Sequence, residues 1–204
     1  MSKNIYSKSN ISSSYFNKKV LLKDKKKINR IIDNIFISLD EKKDVFYTLS
    51  KKFNLSFNYS QFEKFNKYKS VILIGMGGSI LGAEALYSFF KDKIKKNFIF
   101  FDNLDQQEIE KIKKNSNLKD NLFIIISKSG NTLETLINSN LFKDKINHKN
   151  TIIITEKKPN ILNTFAKNKK ILLVTHKDYI GGRYSVLSEV GMLPAYFMGL
   201  NMTY

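Results

Sequence analysis

Three short segments carry residue types suited to holding an anion. The first, Gly75-Met76-Gly77-Gly78-Ser79-Ile80-Leu81-Gly82, sets glycines and then a hydroxyl where an apolar run gives way to a helical pattern. Glycine lets backbone come close to a ligand. A helix N-terminus offers unpaired N–H groups and the positive end of its dipole, and the Ser79 hydroxyl adds a donor. That set suits a phosphate. The competing reading is a tight strand-to-helix turn with no ligand. A dinucleotide fingerprint does not fit, because the spacing is not G-x-G-x-x-G and Asp102 alone stands where a ribose would be held.

The second segment is Ser127-Lys128-Ser129-Gly130-Asn131-Thr132-Leu133-Glu134-Thr135. Ser127, Ser129 and Thr132 each offer a donor to phosphate oxygens, Gly130 permits close approach, Asn131 adds an amide, and Lys128 adds charge without bidentate geometry. A helix cap explains the same letters: Ser129 or Asn131 at the N-cap and Glu134 closing a capping box. The two readings coexist, since a cap uses only some of the free amides.

The third segment is Gly181-Gly182-Arg183-Tyr184-Ser185-Val186-Leu187-Ser188-Glu189-Val190-Gly191, followed by Met192-Leu193-Pro194-Ala195. Arg183 is one of two arginines among 35 basic residues. A chain that uses Lys almost everywhere places a planar, permanently charged guanidinium on a Gly-Gly turn. The bland alternative is an Arg paired with a carboxylate near the turn.

The elements that must position these segments follow from hydrophobic patterning. Short apolar runs at Val71–Ile74, Phe98–Phe101, Leu122–Ile126, Thr151–Ile154 and Ile171–Val174 lack polar alternation, as expected of parallel strands buried on both faces. Helical stretches near Leu81–Phe90, Asp105–Asn115, Thr132–Lys145 and Asn160–Asn168 fill the intervals, the last entered after Pro159. The fold class is therefore α/β, a doubly wound five-stranded parallel sheet flanked by helices. In such sheets ligands bind beyond the carboxyl ends of the strands at the topological switch point, where the first two segments fall. Upstream, Ile28, Ile31, Ile32, Ile35, Val45, Phe46 and Leu49 recur at helical spacing and predict two helices, broken near Leu39-Asp40, that cover the domain. Residues 1–20 form a polar arm without periodicity. The domain reading is 1–69 arm and covering helices, 70–180 the α/β domain, and 181–204 the Gly-Gly-Arg segment and the start of a connection.

Composition narrows the class. The chain has 204 residues, 42% hydrophobic with 16 Phe, enough for one packed domain. With no Cys, disulfide and thiolate chemistry are excluded. No segment has the length and apolarity of a signal peptide or membrane span, so a soluble cytoplasmic protein is expected. The net charge of +17 raises nucleic acid as a partner, but 33 of the cations are Lys, 22 residues are Asn, and aromatics do not interleave the basic runs. The charge reads as solvated surface, with neither nucleic acid nor membrane as partner.

Together the three segments resemble the signatures of the phosphoglucose isomerase family, of the sugar isomerase fold. The first two are shared in looser form by many sugar-phosphate-binding domains. The Gly-Gly-Arg-Tyr-Ser-Val-Leu-Ser run with Gly191 and Leu193-Pro194-Ala195 is specific to the isomerases, and the resemblance spans about Ser70 to Ala195. It implies that Gly78 and Ser79, with Ser127, Lys128, Ser129, Gly130, Asn131 and Thr132, hold the phosphate of glucose 6-phosphate or fructose 6-phosphate. It implies that Arg183 stands near the C1 and C2 oxygens and stabilises a cis-enediolate, and that no cofactor or metal takes part. A homodimer is implied in the same way. The family's catalytic Glu, ring-opening His and later Lys fall in a second domain downstream of the Gly-Gly-Arg segment. This chain is thus expected to be a truncated form, inactive alone, with an apolar face exposed around Met192 to Met198. His148, His176, Glu134 and Glu189 do not match those catalytic positions. Two other readings stay open: a non-catalytic sugar-phosphate sensor and a related mannose-phosphate or dual-specificity isomerase.

Overall fold

A computed structural model describes residues 18–105, 110 and 120–201. Five strands form one parallel sheet: β1 Ser70–Ile74, β2 Asn97–Phe101, β3 Asn121–Ile126, β4 Thr151–Thr155 and β5 Leu172–Thr175, in the order β2-β1-β3-β4-β5. The doubly wound sheet is as the sequence predicts. Most of the helix expected over Asp105–Asn115 and most of the N-terminal arm lie outside the described residues.

Each strand divides its side chains between two cores, because successive residues point to opposite faces. Val71, Leu73, Leu122, Ile124, Ile126, Ile152 and Ile154 enter one core, whereas Ile72, Ile74, Phe123, Ile125 and Ile153 enter the other. Every residue of β3 is buried. Burying an Ile or Phe side chain fully contributes roughly 1.5–3 kcal/mol, so double coverage of three central strands dominates stability.

The helices are α1 Lys18–Ser38, α2 Leu81–Phe89, α3 Leu133–Leu141, α4 Ile161–Lys169 and α5 Glu189–Phe197. Helix α4 starts one residue past its cap, Asn160, whose side chain accepts from the Asn163 amide at 2.8 Å, and Pro159 precedes that cap. Among the described residues, no helix is long and apolar enough to cross a membrane.

Three expectations need correction. The second N-terminal element is a 3-10 helix, Val45–Leu49, started by the Asp44 carboxylate accepting from the Phe46 amide. The covering role belongs instead to a second 3-10 helix, Tyr59–Phe65, which inserts Phe62 and Phe65 fully into the core. Helix α1 leaves Ile28, Ile31, Phe36 and Ile37 about half exposed, at 49–61%. Finally, Met192 to Met198 is not an exposed apolar face. Met192, Leu193, Ala195, Phe197 and Met198 are all buried, and α5 packs against α2 and the first core. A nine-residue helix that is apolar at every position after Glu189 belongs inside.

Candidate functional site

Strand β1 pairs with β2 on one side and β3 on the other, and Ile74 stands opposite Ile125. The loops after β1 and β3 therefore leave the same sheet edge as neighbours at the switch point, where the crevice of such sheets opens.

The first loop tightens into a 3-10 turn, Gly77–Ser79, with Gly77 in left-handed backbone at φ 52°. Helix α2 then begins at Leu81 with no side chain capping it. Gly75 is sandwiched: a Cβ there would lie 3.2 Å from both the Ile126 carbonyl oxygen and the Ser79 Cβ. Ser79 is thereby set beside the end of β3. Among the described residues its hydroxyl makes no hydrogen bond, so it is available to a ligand.

Gly78 has a different reason for being glycine. A Cβ there would fall 2.1 Å from the Gly182 carbonyl carbon and 2.6 Å from the Arg183 nitrogen. The third segment thus lies backbone against backbone on the first loop. Ser185 fixes the contact, its hydroxyl reaching Gly78 O at 3.1 Å and Gly182 O at 2.6 Å. A tight-turn explanation accounts for Gly77 and leaves Gly78 unexplained.

In the second loop Ser127, Ser129 and Thr132 form a triangle of hydroxyls. Ser127 Oγ is 2.9 Å from Thr132 Oγ1 and 3.5 Å from Ser129 Oγ, and Ser129 Oγ is 3.4 Å from Thr132 Oγ1. Ser127 is buried and accepts from the Gly130 amide, while Ser129 is exposed and accepts from the Asn131 amide. Gly130, at φ 67°, turns the chain over Asn160, whose Oδ1 sits 2.0 Å from where a Cβ would be. The capping box does not form: Thr132 is the N-cap of α3 and no side chain bonds to its first amides. Those amides remain for an anion.

Two residues of the predicted set are occupied otherwise. The Lys128 ammonium donates to the Asp178 carbonyl at 2.6 Å and lies 3.4 Å from Glu156, and the Asn131 side-chain oxygen accepts from the Ile161 amide at 3.0 Å. Of the others, Ser127, Ser129, Gly130 and Thr132 share the second loop, and Gly78 and Ser79 share the first.

Arg183 sits on a 3-10 turn, Gly182–Tyr184, and is exposed. Among the described residues it has neither an ion-pair partner nor a hydrogen bond, so the carboxylate-pair explanation is removed. Glu189 and His176 are inaccessible. Glu189 is fully buried, with Oε1 accepting from Lys177 and from the Ser56 amide. His176 is 2% exposed, with Nδ1 2.8 Å from the Lys177 carbonyl oxygen. Burial pushes its pKa below the ordinary value of 6.5, and Lys128 adds in the same direction, against the Lys177 carbonyl contact and the Glu189 and Glu156 charges.

A sequence model of the phosphoglucose isomerases matches residues 41–203 of this chain, which takes in all three segments. The chain belongs to the phosphoglucose isomerase family. It is similar to a glucose-6-phosphate isomerase of Methanocaldococcus jannaschii, 35% identical over 151 residues, covering 72% of this chain and 37% of that one. It is similar also to a glucose-6-phosphate isomerase of Borreliella burgdorferi, 39% identical over 138 residues, covering 62% of this chain and 26% of that protein. Among solved structures, a Chlamydia trachomatis glucose-6-phosphate isomerase superposes with a TM-score of 0.58 at 25% identity, over 67% of this chain and 29% of that one. A hypothetical protein of Thermus thermophilus superposes with a TM-score of 0.73 at 22% identity, over 90% of this chain and 46% of that one, a likeness of fold. The chain therefore spans between about a quarter and just under half of the length of these proteins.

Phosphoglucose isomerase membership leaves several structural partners that sequence reading did not single out. Ser185 lay inside the Gly-Gly-Arg run, yet its tie to Gly78 crosses 107 residues. Asn160 packs against Gly130, and Lys177 and the Ser56 amide meet on Glu189, across the ends of the segment that carries Arg183. None of these long-range pairs has a local spacing signal.

Proposed function

We propose that this chain carries the sugar-phosphate-holding part of a glucose-6-phosphate isomerase, which interconverts glucose 6-phosphate and fructose 6-phosphate. The free amides at the start of α3, Ser79, and the Ser127–Ser129–Thr132 hydroxyls hold the phosphate. Arg183 faces the C1 and C2 oxygens of the opened sugar. A base removes the C2 proton, the electron pair moves to make a C1–C2 double bond, and the carbonyl oxygen at C1 becomes anionic. The hydroxyl proton at O2 passes to O1, and return of the abstracted proton to C1 leaves the ketone at C2. The Arg183 guanidinium stabilises the developing enediolate charge. The base and the ring-opening acid are not assigned to this chain, which accords with the burial of Glu189 and His176.

The observation that carries this reading is the unpaired Arg183, placed by backbone contact directly on the Gly78 loop. Isothermal titration tests it. The chain is expected to bind glucose 6-phosphate and fructose 6-phosphate competitively, inorganic phosphate more weakly, and glucose not at all, without turnover in a coupled assay. Equal affinity for glucose and glucose 6-phosphate would contradict it.

A further inference from the structure

The segment that presents Arg183, residues 178–188, is a short strap between β5 and α5, and a single ion pair closes its two ends. Lys177 stands just before it and Glu189 just after it, and the Lys177 ammonium bonds Glu189 Oε1. The pair is well inside: the side chains are 20% and 0% exposed. Both ends are anchored further. Glu189 Oε1 accepts from the Ser56 amide at 2.7 Å, Lys177 donates to the Asn54 carbonyl at 2.7 Å, and its ammonium stands 4.6 Å from the Phe53 ring centre. Along the strap, Lys128 of the second loop holds the Asp178 carbonyl, and Ser185 holds the Gly78 carbonyl of the first.

Buried ion pairs are poor sources of stability, because desolvation offsets the attraction and apolar residues of similar volume serve as well. Here the arrangement even leaves Glu189 Oε2 buried with no hydrogen-bond partner among the described residues. What an ion pair supplies and an apolar contact does not is a fixed direction and register at the two ends of the strap.

We propose, resting on the isomerase reading above, that Lys177 and Glu189 are positioning residues. Their clamp holds the strap in the register that sets Arg183 over the Gly78 loop, without either residue touching substrate.

The test is a mutant cycle on the chain, read by titration with glucose 6-phosphate and, separately, inorganic phosphate. In the parent chain Arg183→Gln is expected to weaken glucose 6-phosphate binding by about tenfold, the scale of one charge-assisted hydrogen bond. The double variant Lys177→Met/Glu189→Gln removes both charges at similar volume and keeps an acceptor for the Ser56 amide. It is expected to weaken glucose 6-phosphate by a similar factor, to leave inorganic phosphate within about twofold, and to make a further Arg183→Gln change nearly silent, the signature of coupled sites. Lys177→Arg is expected to retain most of the affinity. A double variant that melts cooperatively, binds glucose 6-phosphate like the parent and keeps the full Arg183→Gln penalty overturns the proposal. If the double variant does not fold, Glu189→Gln alone is read the same way: a threefold or larger loss confined to glucose 6-phosphate supports the clamp, and no loss overturns it. Absence of glucose 6-phosphate binding by the parent chain overturns the isomerase reading, and the clamp falls with it.

Discussion

Two facing glycines make opposite predictions. A Cβ on Gly78 would lie 2.1 Å and 2.2 Å from the carbonyl carbon and oxygen of Gly182, and 2.6 Å from the Arg183 nitrogen. All three are backbone atoms with no rotamer to yield. Ordinary contact begins near 3.4 Å, so Gly78→Ala must drive the two loops apart by roughly 1.3 Å, given that packed interiors have little free space. Overpacking of this kind costs about 1–3 kcal/mol, and loosening the Ser185 bond adds about 0.5–1.5 kcal/mol. At about 2–4 °C per kcal/mol for a chain of this size, the melting temperature should fall by roughly 3–18 °C. Affinity for glucose 6-phosphate should fall at least tenfold, since Arg183 moves with its turn. Gly182→Ala is the internal control. Its Cβ meets only the Gly78 Cα, at 3.9 Å, an ordinary contact, and should change stability by no more than about 0.5 kcal/mol. Calorimetry and titration on the two variants decide the matter. If Gly78→Ala melts and binds like the parent, or if Gly182→Ala suffers equally, the close contact of the two loops is refuted.

Arg183→Lys should weaken glucose 6-phosphate binding by about tenfold despite keeping the charge, because an ammonium lacks the planar fork; titration reads this directly. Ser127→Ala removes one of the two acceptors of the Gly130 amide, which keeps the Ser127 carbonyl oxygen at 3.1 Å, and should cost about 0.5–1.5 kcal/mol in thermal unfolding while weakening inorganic phosphate as well as the sugar phosphate. The depressed pKa of His176 makes a pH prediction. The folded chain keeps this His neutral below 6.5 while the unfolded chain takes up a proton. Its contribution to stability is therefore complete above pH 6.5 and declines as pH falls toward the folded value, with a slope of at most about 1.4 kcal/mol per pH unit. Urea unfolding at pH 7.5 and pH 5.5 should show the loss, and His176→Gln should reduce it.

The sheet was legible because parallel strands covered on both faces read as unbroken apolar runs, and all five runs became strands. Arg183 was legible for a compositional reason: in a lysine-filled chain an arginine is a choice. What failed has physical causes as well. Val45, Phe46 and Leu49 keep a helical spacing over too few residues to separate a 3-10 turn from an α-helix. The stripe on α1 is real, but periodicity states that a face exists and not what meets it. Lys128 sits among the hydroxyls in sequence, yet in the turn that the Gly130 amide closes onto the Ser127 carbonyl its side chain runs to Glu156 and Asp178, a direction no sequence spacing gives. The contact between Gly78 and Gly182 and the clamp of Lys177 on Glu189 depend on tertiary approach, to which no local pattern corresponds.

The most direct test of the central claim is an amide-resolved NMR titration of the chain with glucose 6-phosphate. Shift changes should cluster at Gly78 and Ser79, across residues 127–135 and at Arg183, with inorganic phosphate reproducing the first two groups and sparing Arg183. Changes centred instead on the cavity between α3 and α4, lined by Leu136, Leu162 and Phe165, or no changes at millimolar ligand, would contradict the account.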